Sequence, residues 1–170
     1  MAQYVQIQTE FHEVEELLKN LGKQGKSISR YVLRNIGRIT KNKIKKSYNI
    51  YLHKQSGDLY KSIKSYQSKR ALYNVISANA TDDKSKVRYA YVLGSGSTIQ
   101  AKNKKYLTFN VNGKWVKKKS VKIPANDFME TPATKYLKST QMKQDMDKYL
   151  QKKLDQLEKK GKITVERVNE

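Results

Sequence analysis

Between Leu17 and Gly57 the chain contains no Asp or Glu and eleven Lys or Arg. Within that stretch Ile28, Val32, Ile36 and Ile39 recur at helical spacing, and so do Lys26, Arg30, Arg34, Arg38, Lys41 and Lys45. The two stripes are offset by two residues, roughly 200° at about 3.6 residues per turn. A long amphipathic helix over about 26–52 is therefore predicted, with one face needing a partner layer and the other held by repulsive like charges. The basic line, about 30 Å long at about 1.5 Å per residue, reads either as a solvated outer face or as a track for an anion.

The rest of the chain supplies the elements that would cover that helix. Val14, Leu17, Leu18 and Leu21 predict a short helix over about 10–21, capped by Thr9 and ended by Gly22 and Gly25. Ser56-Gly57-Asp58 breaks the long helix, and Ser56 or Asp58 is placed to cap a short helix through Leu59 and Ile63. Tyr66 to Ala80 reads as strand, Thr81 to Lys84 as a turn, and Val87 to Leu93 as a short helix or strand under the sheet. Gly94 to Ser97 reads as a flexible loop. Tyr106 to Val111 alternates and is followed by Asn112-Gly113, the strongest short hairpin signal, so Lys114 to Ile123 is expected to return as the partner strand. Lys117, Lys118 and Lys119 interrupt its alternation and predict a bulge or flared edge, where lysines also guard against edge-to-edge association. After Pro124, Thr131-Pro132 opens a helix expected to reach about Lys160, with Met142, Met146, Leu150, Leu154 and Leu157 as its stripe. Gly161 ends it, and Ile163 to Val168 alternates as a further strand.

The fold class that follows is α+β: a small antiparallel sheet with a long β-hairpin, packed against amphipathic helices and closed by a long C-terminal helix. One domain over 1–170 is expected, with helices over about 10–52, sheet and hairpin over about 66–123, the last helix over about 132–160 and a short strand or tail over 161–170.

The net charge of +21 comes from 36 basic residues, only six of them Arg. Lysine is a point charge without arginine's bidentate fork, so contact with phosphate is favoured over base readout. Nucleic acid, an acidic protein surface and an anionic membrane remain open as partners at this level. Without cysteine there are no disulfides or thiolate metal sites. His12 and His53 are the only histidines. The His12-Glu13 pair lacks the second histidine of a zinc helix, and no histidine stands in a motif with a serine nucleophile. Asp145 and Asp147 point apart on a helix, so they make a poor joint metal site. Gly94-Ser95-Gly96-Ser97 lacks the spacing and lysine of a phosphate loop. No enzyme, cofactor or metal is expected, a metal-free ribonuclease toxin being the one catalytic class compatible with a small basic sheet. The start Met-Ala-Gln-Tyr-Val-Gln has no basic region followed by an apolar run, and no stretch has membrane-spanning length, so a chain made in a cytoplasm is expected. The twelve tyrosines suit half-buried and interface positions, or stacking on single-stranded nucleic acid.

Three signatures stand in order: Ser56-Gly57-Asp58-Leu59-Tyr60-Lys61-Ser62-Ile63, Tyr89-Ala90-Tyr91-Val92-Leu93-Gly94, and Ile123-Pro124-Ala125-Asn126-Asp127-Phe128-Met129 running on to Pro132-Ala133. With the basic helix before them and the long helix after, they resemble the small neck or tail-completion (head–tail joining) proteins of long-tailed double-stranded DNA phages, over about Phe11 to Leu157. Leu93 stands where that family often has an acid, and Asn126-Asp127 where it often has Arg-Pro. The resemblance implies a non-enzymatic virion subunit, assembled in the host cytoplasm. It would form a homo-oligomeric ring between a head-closure or connector protein and a tail-terminator or tail-tube protein, around the channel through which DNA passes. On that view Arg30, Arg34, Arg38, Lys41, Lys45, Lys117, Lys118 and Lys119 are expected to meet DNA or an acidic neighbour. Tyr89, Tyr91, Trp115, Phe128 and Met129 are expected at subunit or inter-ring contacts, with an anchor into the chain's own core as the other reading of Phe128. A free, sequence-nonspecific nucleic-acid-binding protein is the alternative.

Overall fold

A computed structural model describes residues 4–7, 22–51, 57–68, 73–80, 89–102, 104–111 and 113–164. In chain order they form β1 (Tyr4–Ile7), α1 (Gly22–Tyr51), α2 (Asp58–Ser62), β2 (Ile63–Gln67), β3 (Asn74–Ala78), α3 (Tyr89–Ser95), β4 (Ser97–Gln100), β5 (Leu107–Val111), β6 (Lys114–Lys118), β7 (Ser120–Ile123), α4 (Glu130–Leu137) and α5 (Thr140–Glu158). The fold is α+β. β1, β3 and β2 make an antiparallel sheet in that order, while β4 pairs with β7 and β5 with β6. The helix expected over 10–21 and the turn over 81–84 lie outside the described residues, as do 165–168 of the last expected strand. Ile163 and Thr164 carry no regular structure.

Helix α1 is the spine. The sheet packs on it through β2 and β3, and α4 and α5 pack on it as well. Contact with several partners widens its buried face beyond the stripe read from periodicity. Ile28, Val32 and Ile36 are buried and Ile39 partly so, but Leu33, Ile44 and Tyr48 join them. Two polar side chains on this face solve their own desolvation by bonding back one turn: the Ser29 hydroxyl donates to the Gly25 carbonyl (3.0 Å) and Thr40 to that of Ile36 (2.9 Å). Gly22 and Gly25 belong to α1, which starts four residues before the predicted boundary.

Gly37 sets how closely the sheet approaches. A Cβ there would collide with the side-chain amide of Asn74, at the start of β3. That amide is buried, and its Oδ1 accepts a 2.7 Å hydrogen bond from Ser65 Oγ on β2. It therefore cannot swing aside without losing a buried partner.

Three expectations need correction. The single strand read over Tyr66 to Ala80 is an antiparallel pair, β2 and β3, closed by Ser68 N–H donating to the Tyr73 carbonyl at 3.1 Å. Apolar and polar residues of β propensity run through both strands, so composition alone did not mark the reversal. The long C-terminal helix is two helices, broken at Lys138-Ser139. Ser139 accepts from Met142 N–H and caps α5, and its hydroxyl donates to the Tyr136 carbonyl (2.6 Å), finishing α4. Lastly, Asp58 does not cap α2. Gly57, at φ 78°, takes the N-cap position without a side-chain bond, and Asp58 sits in the first turn.

The three signatures meet in this core. Leu59 and Ile63 from the first, Ala90 and Leu93 from the second, and Phe128, Met129 and Ala133 from the third belong to or pack on one cluster. The second and third are also tied by the backbone, through Asn126 N–H donating to the Leu93 carbonyl at 2.7 Å. Gly96, at φ 72°, lies so close to Ala125 N that a Cβ would stand 2.8 Å from it. The flexible loop read over Gly94 to Ser97 thus reduces to Gly96 alone, between the end of α3 and the start of β4. Asp127 has a local role: its carboxylate accepts from Glu130 N–H, Thr131 N–H and the Thr131 hydroxyl, holding the start of α4.

Gly37→Ala is expected to cost about 1–3 kcal/mol, as overpacking at a rigid contact does. Chemical denaturation of Gly37→Ala, Asn74→Ala and the double variant checks it, since the double variant should lose less than the sum of the singles. A second expectation concerns pH. Burial, then the 2.8 Å hydrogen bond to Asp145 and its charge, push the Tyr136 hydroxyl well above its ordinary value, and burial raises Tyr48. The folded chain holds these protons where the unfolded chain releases them, near pH ~10. Their contribution is intact below that pH and lost as pH rises above it. Tyr136→Phe should flatten the alkaline fall in denaturation midpoint.

Candidate functional site

The second strand of the predicted hairpin runs from Lys114 to Ile123 but serves two partners. Its first half, β6, pairs with β5 from Val111↔Lys114 to Leu107↔Lys118. Its second half, β7, pairs with β4 from Gln100↔Ser120 to Ser97↔Ile123. Lys119 sits at the change of partner and accepts the 3.3 Å hydrogen bond of Ala101 N–H on its carbonyl. The bulge or flared edge expected at Lys117 to Lys119 is not formed at Lys117 and Lys118, which pair in register with Thr108 and Leu107, and the interruption is the bend at Lys119. At the far end Gly113 adopts φ 82° and its N–H donates to Asn110 Oδ1 at 2.8 Å, closing the turn between β5 and β6. The ribbon is thus two short ladders joined through a bend at Lys119.

The ribbon packs on itself. Beyond its own strand pairs it shares no extensive contact with another element among the described residues, and none of its residues joins the core cluster. Its surface is unusual in two ways. From Ser97 to Ile123 the chain carries eight lysines and no acid, so no ion pair forms within the ribbon. And of the seven large hydrophobic residues that stand exposed in the described structure, four are here: Ile99, Tyr106, Val111 and Trp115, the last 74% exposed. Scattered exposed apolar residues are ordinary, but this concentration on one self-packed element is not. Strand register puts Trp115 and Lys117 on one face with Thr108 and Asn110. Lys114 and Lys118 lie on the other, around Leu107, Phe109, Val111 and Val116.

The second predicted basic surface fares differently. Arg34 and Arg38 are exposed on α1, but Arg30, Lys41 and Lys45 are only partly so. The Arg38 guanidinium donates to the Tyr149 hydroxyl of α5 (3.5 Å), and Lys45 lies 4.3 Å from the centre of the Tyr60 ring. Tyr31 meets Tyr149 edge to face, with Lys153 5.4 Å from the Tyr31 ring centre. Part of the basic line is therefore engaged within the chain: Arg38 helps to attach α5 to the spine by a hydrogen bond, and Lys45 meets α2 through a cation–π contact. It is not the unbroken outer track that periodicity suggested.

Phe128 and Met129, expected at a subunit contact, are 0% and 2% exposed and fill the chain's own core, where Phe128 meets Tyr48 edge to face. Tyr91 is 48% exposed on α3, a helix that Tyr89 opens. The sequence reading missed Lys102, Lys104, Lys105, Lys114 and Lys122, together with β4. The signal was present in the β-branched Thr98 and Ile99 just after Gly96. Among the described residues no group of three or more metal-ligating side chains assembles, and no helix is long and apolar enough to cross a membrane. Comparison with protein-family models, curated proteins and solved structures found no match.

Because the ribbon contributes nothing to the core, Trp115→Ala and the triple variant Lys117→Gln/Lys118→Gln/Lys119→Gln should each change stability by no more than about 0.5 kcal/mol. Trp115 is the only tryptophan, so its emission should be that of a wet indole in the native protein and shift little on unfolding.

Proposed function

We propose that this chain is a structural, non-enzymatic subunit of a phage virion, forming a homo-oligomeric ring at the head–tail junction. The ring would join a head-closure or connector protein to a tail-terminator or tail-tube protein around the DNA channel. The observation that carries the reading is the ribbon: an element of 27 residues, from Ser97 to Ile123, held off its own core with charge and aromatic surface exposed. Such an element has its use in contact with another molecule.

Two further features support the reading. The signatures that carry the resemblance to neck and tail-completion proteins converge on one core, which is what they would do if they define a common subunit fold. Large exposed rings stand on separate elements of that body, Tyr66 on β2 and Tyr91 on α3. A ring subunit needs separate surfaces of this kind for its two neighbours and its two ends, with aromatic residues as anchors.

The test is genetic and structural. In a phage encoding this chain, Lys117→Glu/Lys118→Glu/Lys119→Glu should yield filled heads and separate tails in place of joined particles. The purified variant should keep the wild-type circular dichroism spectrum and melting temperature. Particle imaging and mass spectrometry of wild-type virions should place the chain at the neck. Normal particles from the variant, or virions without the chain, would overturn the proposal.

A further inference from the structure

Lysines face both sides of the β4–β7/β5–β6 ribbon. Lys114 and Lys118 lie on one face of β5–β6 and Lys117 on the other, and Lys122 stands opposite Thr98 in β4–β7. Lys119 marks the switch between the two halves, and Lys102, Lys104 and Lys105 follow β4 in the sequence. All eight are exposed, and none meets an acidic side chain among the described residues. An element docked on a protein would have one covered face and one wet face. It would also be depleted in lysine where it is covered, since protein interfaces favour Arg, Tyr and Trp and exclude Lys. Here both faces carry lysine and there is no arginine. That composition matches protein–DNA interfaces, which are far more positive than protein–protein ones.

We infer that the ribbon is a duplex-DNA-binding arm, which lies in a groove and neutralises phosphates on both walls. A two-stranded ribbon fits the major groove, about 12 Å wide, and a groove is the setting in which charge on both faces finds partners at once. The arm reads no sequence. With Gln100 and Asn110 the exposed amides of its described strands and no bidentate arginine, its affinity comes from counterion release. Trp115 shares a face with Lys117 and Asn110, so it lies against the duplex when the arm is seated. This assignment stands on the arm's own chemistry and holds whether or not the chain forms a ring.

With a net charge of +21, any binding must be separated from diffuse attraction, and the salt dependence does so. Binding of the full chain to a short random-sequence duplex would be followed by anisotropy between about 50 and 200 mM salt. The wild type should show a steep slope of log K against log salt, and Trp115 emission should be quenched on binding. Lys117→Gln/Lys118→Gln/Lys119→Gln should make the slope shallower by about 3, close to one for each phosphate that is no longer neutralised. The control removes the same charge from exposed positions on and just after α5: Lys148→Gln/Lys152→Gln/Lys159→Gln should change the slope by less than about 1. Equal effects from both triples would mean that net charge alone binds DNA, and would overturn the arm. Unchanged DNA binding in the ribbon triple, with loss of association to copies of itself or to an acidic protein, would make the ribbon a protein contact and overturn it too. Tighter binding to a single strand than to the duplex would overturn the groove assignment. Virions lacking the chain, with the salt result as expected, would overturn the ring and leave the arm intact.

Discussion

Everything in this fold depends on covering one helix. α1 is too apolar along one side to stand in water and too cationic along the other to be buried all round. The sheet takes part of the apolar side, and α4 and α5 take more. The cost of burying polar atoms there is met locally, by Ser29 and Thr40 bonding their own helix and by Asn74 pairing with Ser65 over Gly37. Gly37 is the point where sheet and helix come close enough for both conditions to hold. Cation–π contacts and the Arg38–Tyr149 hydrogen bond then recruit part of the charged side. The helix that looks like an electrostatic surface in sequence is largely a packing element in space.

The ribbon follows the opposite logic. Its strands alternate as though one face were to be buried, yet no part of the core reaches it. Eight lysines without an acid put like charge along its length, which discourages two such ribbons from lying together. The signatures and the ribbon thus differ in kind: the signature residues Leu59, Ile63, Ala90, Phe128 and Met129 hold the body, and the segment between the second and third signatures stands outside it with its lysines exposed.

Periodicity made much of this legible. The stripe at Ile28, Val32 and Ile36, the turn at Gly113 and the end of β7 before Pro124 all read directly, because each reflects a local rule of backbone or face. What misled were segments whose local signal fits two outcomes. The run from Tyr66 to Ala80 has strand propensity throughout and does not announce where it turns. Thr131 to Lys160 has helical spacing throughout, and only the Ser139 cap breaks it. Phe128 and Met129 looked like interface anchors because an apolar pair after a proline is equally suited to a core or to a neighbour. Which of the two applies depends on distant residues such as Tyr48, against which Phe128 packs.

By itself the sequence determined the α+β class, the identity of the spine, the hairpin turn and the concentration of lysine without acid between Ser97 and Ile123. These follow from spacing and composition, which act over a few residues. Tertiary structure alone decided that Arg38 and Lys45 engage tyrosines within the fold while Lys117, Lys118 and Lys119 stand exposed on the ribbon. It alone decided that three distant signatures share one core, and that Trp115 stands in water. Those outcomes turn on which surfaces are brought together when α1 is covered, and long-range burial of that kind leaves no periodic trace in the chain.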